Sequence, residues 1–182
     1  MTFAVLPGLS HTGMVVKHLD EAMTVFGELF GCSWARPGHS QADLQLPGGV
    51  VVPHEWRSTY SKTGPHYLEL TEQIQGTFFR TPGLGVHGSH HTGRWVDDLP
   101  GEVHRLQALG FVPVMTTSPR LGRYEYVAFL IHPVSGMAME LLDLGMKPIV
   151  EEWIAGGSTP AERSAEIYAN IGRIATGDAA DT

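Results

Sequence analysis

Cysteine is almost absent from this chain of 182 residues. Cys32 stands alone, so no disulfide can form within it, and a reducing compartment is the expectation. Clustered cations are absent as well. With a formal net charge of −7 and no run of Lys and Arg, nucleic acid is not an expected partner, because phosphate neutralisation needs such clusters. No stretch approaches the ~20 apolar residues of a membrane-spanning helix. The start, Met-Thr-Phe-Ala-Val-Leu-Pro, lacks the charged and apolar regions of a secretory signal. A cytoplasmic protein with no membrane partner is therefore expected. Charged residues make up only 17% against 42% apolar, the balance of a packed globular chain rather than a disordered one.

Glycine (22 residues) and proline (12) are plentiful, which suits short strands joined by turns. Glycine also marks an internal repeat. The run His11-Thr12-Gly13-Met14-Val15-Val16-Lys17-His18-Leu19 returns 80 positions later as His91-Thr92-Gly93-Arg94-Trp95-Val96-Asp97-Asp98-Leu99. His, Thr, Gly, Val and Leu coincide. Each copy leads into a helical pattern. In the first, Asp20 is the expected cap, Met23, Phe26 and Phe30 form the apolar face, and Gly31 closes the helix. In the second, Val103, Leu106 and Leu109 form the face and Gly110 closes it.

Strand patterns follow each helix. Residues 32–72 alternate or run β-branched, with a turn at Pro47-Gly48-Gly49 and a polar, turn-rich hairpin loop expected from His54 to Pro65. In the second copy strands are expected over 111–115, 124–132 and 136–143. The predicted fold is α+β: two βαβββ units, over 8–72 and 90–145, forming a cup-shaped mixed sheet. A connector spans 73–89 and an extension spans 146–182. Thr159-Pro160-Ala161-Glu162 has capping-box spacing, which predicts a helix over about 160–174 with Ile167, Ile171 and Ile174 as its stripe. That helix packs on the domain or on a second subunit, and a homodimer is the expectation.

Chemistry concentrates at repeat-equivalent positions. His11 and His91 open the first strands, and Glu69 and Glu140 lie in the last strands. Each Glu is flanked by leucine or methionine, so alternation turns it away from the packed face. A lone strand histidine is usually structural and a lone strand glutamate usually solvated. Two of each in register point instead to a buried cation, because buried carboxylates are costly without compensation. Two imidazoles with two carboxylates suit Zn, Ni, Co, Mn or Fe(II). His90 competes with His91, but the repeat selects His91 and alternation sends the two rings to opposite faces. His18, His39, His54, His66, His87, His104 and His132 read as structural or surface groups. By strand parity Trp95 goes with His91 and Tyr67 with Glu69, and Phe129 lies in the adjoining strand. All three are candidate substrate-binding residues.

The repeat, its His-Thr-Gly-x-x-Val-x-x-Leu opening and the ending His132-Pro-Val-Ser-Gly-Met-Ala-Met-Glu140 resemble the vicinal oxygen chelate superfamily over about residues 10–145. That group includes glyoxalase I, methylmalonyl-CoA epimerase, extradiol dioxygenases and bleomycin-resistance proteins. The second-copy segments look most like the epimerase branch, whose His, Gln, His, Glu metal set would fall on His11, position 69, His91 and Glu140. Position 69 is Glu here, which is the glyoxalase I pattern. The resemblance implies a divalent-metal isomerase, epimerase or lyase that moves a proton on a small α-oxygenated carbonyl substrate, with Glu69 or Glu140 as ligand and base. It also admits an Fe(II) extradiol-type dioxygenase, or a metal-free small-molecule binding or resistance protein. A CoA substrate would call on Arg94, Arg120 or Arg123.

Overall fold

The computed structural model describes residues 9–76, 87–117 and 123–164. Its elements are β1 (Leu9–Val16), α1 (Leu19–Phe30), β2 (Gly38–Leu46), β3 (Val50–Tyr60) and β4 (Tyr67–Gln75), then β5 (Gly88–Val96), α2 (Leu99–Ala108), β6 (Val112–Thr117), β7 (Val127–Ile131) and β8 (Ala138–Asp143). A third helix, α3 (Lys147–Ile154), follows. The protein is α+β, with a mixed sheet of eight strands closed in the order β1-β4-β3-β2-β6-β7-β8-β5. β1 runs parallel to β4 and β5 parallel to β8, while the other pairs are antiparallel. Closure is made by a short β2–β6 ladder, Leu44 opposite Thr117 and Gln45 opposite Thr116. It pairs the edges that an open cup would leave free.

Strand alternation sorts the apolar residues into layers. Val15, Leu44, Met115, Phe129 and Ile131 pack inside the barrel. Leu130, Met139 and Leu141 face outward beneath α2, whose Leu99, Val103 and Leu106 cover them. Asp98 caps α2 by accepting from the Gly101 amide, with Pro100 in the first turn. One end of the barrel is stopped by α3: Val150, Trp153 and Ile154 pack with Ala35 and Tyr60. The Trp153 indole donates to the Arg36 carbonyl at 2.6 Å. No helix among the described residues is long and apolar enough to cross a membrane.

Four expectations change. Residues 54–60 continue β3 rather than forming a loop, because His54, Trp56, Ser58 and Tyr60 alternate onto the barrel interior as a strand requires. α1 is capped at His18 rather than Asp20, which lies in its first turn and pairs with Arg57. Its apolar face is only lightly covered: Phe30 is 57% exposed and stacks on Phe26. α3 was not foreseen. The helix expected over 160–174 lies mostly outside the described residues. Its start shows reciprocal capping, the Thr159 amide donating to Glu162 (2.8 Å) and the Glu162 amide to Thr159 Oγ1 (3.4 Å).

Candidate metal centre

β1 and β5 lie side by side and antiparallel, His11 opposite Gly93 and Gly13 opposite His91. Each imidazole therefore leans over the glycine of the other strand. A Cβ at Gly13 would collide with the His91 ring, and one at Gly93 with the His11 ring. This explains the glycine of each His-Thr-Gly run: it leaves room for the histidine across the ladder. β4 and β8 flank this pair and bring in Glu69 and Glu140; the Met139 and Leu141 neighbours of Glu140 pack under α2.

The four residues converge. His11 Nε2 lies 3.2 Å from His91 Nε2, 3.3 Å from Glu69 Oε2 and 2.8 Å from Glu140 Oε2. His91 Nε2 is 3.3 Å from each carboxylate oxygen. All four are buried, and one donor atom from each lies within 4.8 Å of the others. A cation with ligands ~2.1 Å away separates them by about 3.0 Å at right angles and about 3.4 Å at tetrahedral angles. The observed spacings match. Glu140 Oε2 is buried among these neighbours without a hydrogen bond of its own, an acceptor that a cation would satisfy. The donor set fits a divalent cation.

The electrostatics fit too. Burial would lower His11, but Glu140 and Glu69 outweigh it and raise its pKa to about 10; His91 is raised for the same reason. Burial would raise Glu69 and Glu140, yet the two imidazoles hold both below the ordinary carboxylate range. A divalent cation supplies the same two positive charges as these two protons. Tyr60 packs edge-on to His11, with ring centroids 5.3 Å apart, and burial with the two carboxylates pushes its phenol well above the usual value.

A cavity of about 70 Å³ opens beside the four residues, lined by Leu44, Trp56, Thr71, Met115, Thr117 and Phe129 among others. Phe129 sits edge-on to His91 at 4.9 Å. Trp95 and Tyr67 face the same interior but pack against the Tyr60–Trp153 cluster at the end closed by α3, and are not among the cavity's lining residues. His54, expected to be structural, lines the cavity and stacks on Trp56 at 5.3 Å, and burial pushes its pKa down to about 4. Strand parity would have found His54, Trp56 and Tyr60 had 54–60 been recognised as strand. A larger hollow of about 420 Å³, bordered by Gln41, Asp43, His54 and Glu55, contains none of the four donors. Of the three arginines, Arg94 pairs with Glu102 at 2.8 Å, Arg123 does not line the cavity, and Arg120 lies outside the described residues.

The profile of the Glyoxalase/Bleomycin resistance protein/Dioxygenase superfamily matches residues 10–129. The chain belongs to this superfamily. Among solved structures, this superfamily member is similar to methylmalonyl-CoA epimerase from Mycobacterium tuberculosis, with a TM-score of 0.51 and 19% identity over 79% of this chain and 91% of that one. A Streptomyces coelicolor methylmalonyl-CoA epimerase variant in complex with 2-nitronate-propionyl-CoA gives 0.49 and 19% over 76% and 95%. A hypothetical protein from Bacillus halodurans C-125 gives 0.49 and 20% over 74% and 92%. At these identities the likeness concerns the fold. No curated protein matches.

Proposed function

We propose that the protein is a divalent-metal-dependent isomerase, epimerase or lyase that transfers a proton on an α-oxygenated carbonyl compound. The observation that carries this reading is the convergence of four buried donors from β1, β4, β5 and β8 on one point, with Glu140 Oε2 left without a hydrogen bond. His11, Glu69, His91 and Glu140 would hold the cation. When bound, it would polarise a carbonyl and lower the charge cost of the enolate that follows C–H ionisation.

The chain's own groups supply the rest. Glu69 or Glu140 takes the proton from the carbon, a role worth about a hundredfold or more for a base held within ~3 Å. Phe129, Trp56, Met115 and Leu44 form an apolar wall that excludes water, and the hydroxyls of Thr71 and Thr117 offer hydrogen bonds to substrate oxygens. The cavity of about 70 Å³ has room for several waters, which suits a compact reacting head. Its named lining residues include no Lys or Arg, which favours a small uncharged substrate over one whose phosphates enter the cavity.

The test is the metal content of the purified protein beside His91→Ala and Glu140→Ala. Near-stoichiometric divalent metal, lost in both variants, is expected. No metal after reconstitution would overturn the enzyme reading and leave a binding protein.

A further inference from the structure

The β1–β5 ladder contains two irregularities, and they fall at equivalent places in the two strands. Between Leu9 and His11 the register slips against Arg94 and Gly93, which makes Ser10 the extra residue of β1. Between Gly13 and Met14 it slips against His91 and Ser89, which makes His90 the extra residue of β5. In a regular strand each would point away from the histidine that follows it. At a bulge the residue is re-aimed, and both side chains return to that histidine. Ser10 Oγ lies 2.9 Å from His11 Nδ1, and His90 Nδ1 lies 2.9 Å from His91 Nδ1. Ser10 and His90 are both buried, and the His90 ring packs edge-on to His91 (centroids 5.2 Å apart) and to Phe129 (6.2 Å).

We infer that His90 and Ser10 are positioning residues, placed by paired β-bulges, that fix the tautomer and ring orientation of His91 and His11. The inference rests on the metal-site reading above. A hydrogen bond between two Nδ1 atoms needs one proton. His91 must keep its Nε2 lone pair for the cation, so it carries the proton on Nδ1 and His90 accepts it. By the same logic Ser10 Oγ accepts from His11 Nδ1. The two halves of the site thus use different acceptors, a hydroxyl behind one ligand and an imidazole behind the other.

The test uses the full chain with Zn²⁺ alone as probe, its affinity measured by competition with a chromophoric chelator. His90→Phe keeps a ring and removes the acceptor, whereas His90→Asn offers an oxygen near the Nδ1 position. His90→Phe should weaken zinc by about 10–100-fold. His90→Asn should restore most of that loss. Long-range ¹H–¹⁵N spectra of the zinc-loaded wild type should show His91 protonated at Nδ1, and thermal unfolding without metal should show both variants folded. Wild-type affinity in His90→Phe, equal losses in both variants, or His91 bound to zinc through Nδ1 would each overturn the inference and leave the metal site standing. A wild type that binds no zinc would overturn both. Ser10→Ala, with a weaker effect on zinc through His11, is the matching perturbation in the other half.

Discussion

Replacing Gly93 with alanine adds one methyl group at the point where the two repeats share space. Gly93 has no left-handed φ, so alanine meets no backbone penalty and its cost is steric alone. The new Cβ would fall inside contact distance of Cε1, Nδ1 and Nε2 of His11, a residue only 1% exposed. Tyr60, edge-on at 5.3 Å, limits the ring's retreat. To reach an ordinary separation of about 3.5 Å the ring must move by more than about 1 Å. Ligand distances in a metal site tolerate about 0.2 Å. His11 should therefore leave the donor set, with a further 1–3 kcal/mol or so of overpacking cost. The assay is thermal unfolding with and without Zn²⁺ at 100 times the wild-type dissociation constant. Linkage gives the wild type about 2.7 kcal/mol there. At roughly 2–4 °C per kcal/mol, Tm rises by about 5–11 °C. Gly93→Ala should fold, with a lowered Tm that zinc no longer raises. A zinc-dependent rise equal to the wild type's would refute the reasoning.

Glu69→Gln keeps an oxygen donor and should retain metal, while metal-dependent deuterium exchange at the α-carbon of α-hydroxy carbonyl compounds falls about a hundredfold. Undiminished exchange would hand the role of base to Glu140. His54 has a folded pKa of about 4 against 6.5 unfolded, so the unfolded chain takes the proton first. Its contribution is absent above pH 6.5; stability is lost as pH falls from 6.5 to 4 and the loss is complete below that. After discounting for solvent screening the loss is about 1–2 kcal/mol. Urea titrations should show His54→Gln losing less than the wild type in that window; parallel curves would exclude the effect. Trp153→Ala removes a side chain that is 3% exposed, packs on Tyr60 and bonds the Arg36 carbonyl. It should cost about 3–5 kcal/mol, or roughly 6–20 °C in Tm. A loss under 1 kcal/mol would mean that α3 contributes little to closing the barrel end.

The elements were legible where one periodicity dominated. Leu68, Glu69 and Leu70, and Met139, Glu140 and Leu141, alternate plainly in the sequence, and the two glutamates meet beside the histidines. Alternation failed at His90, where it placed the ring opposite His91, because a bulge leaves no mark in hydropathy. It also says which face a side chain occupies but not which end of a barrel is open. Trp95 and Tyr67 share the strand parity of His91 and Glu69, yet they pack on the cluster at the end that α3 stops. α3 itself was hidden because Pro148 and the short apolar run Ile149-Val150 resemble a linker until Trp153 is seen to bury. His54 to Tyr60 was misread because His, Glu, Arg, Ser and Thr look like loop composition. Of their inward members, His54 and Trp56 line the cavity beside the four donors.

The donor set divides evenly between the two halves of the chain. A cup of this kind can be assembled within one chain or from exchanged halves of two. Here the two histidines face each other's glycines across the β1–β5 ladder, and the two glutamates come from the strands parallel to β1 and β5. Each repeat contributes one imidazole, one carboxylate, one clearance glycine and one bulge residue, and both contributions lie on a single chain whose barrel is closed at β2–β6. The affinity for metal should be independent of protein concentration, whereas exchanged halves would tie it to dimerisation.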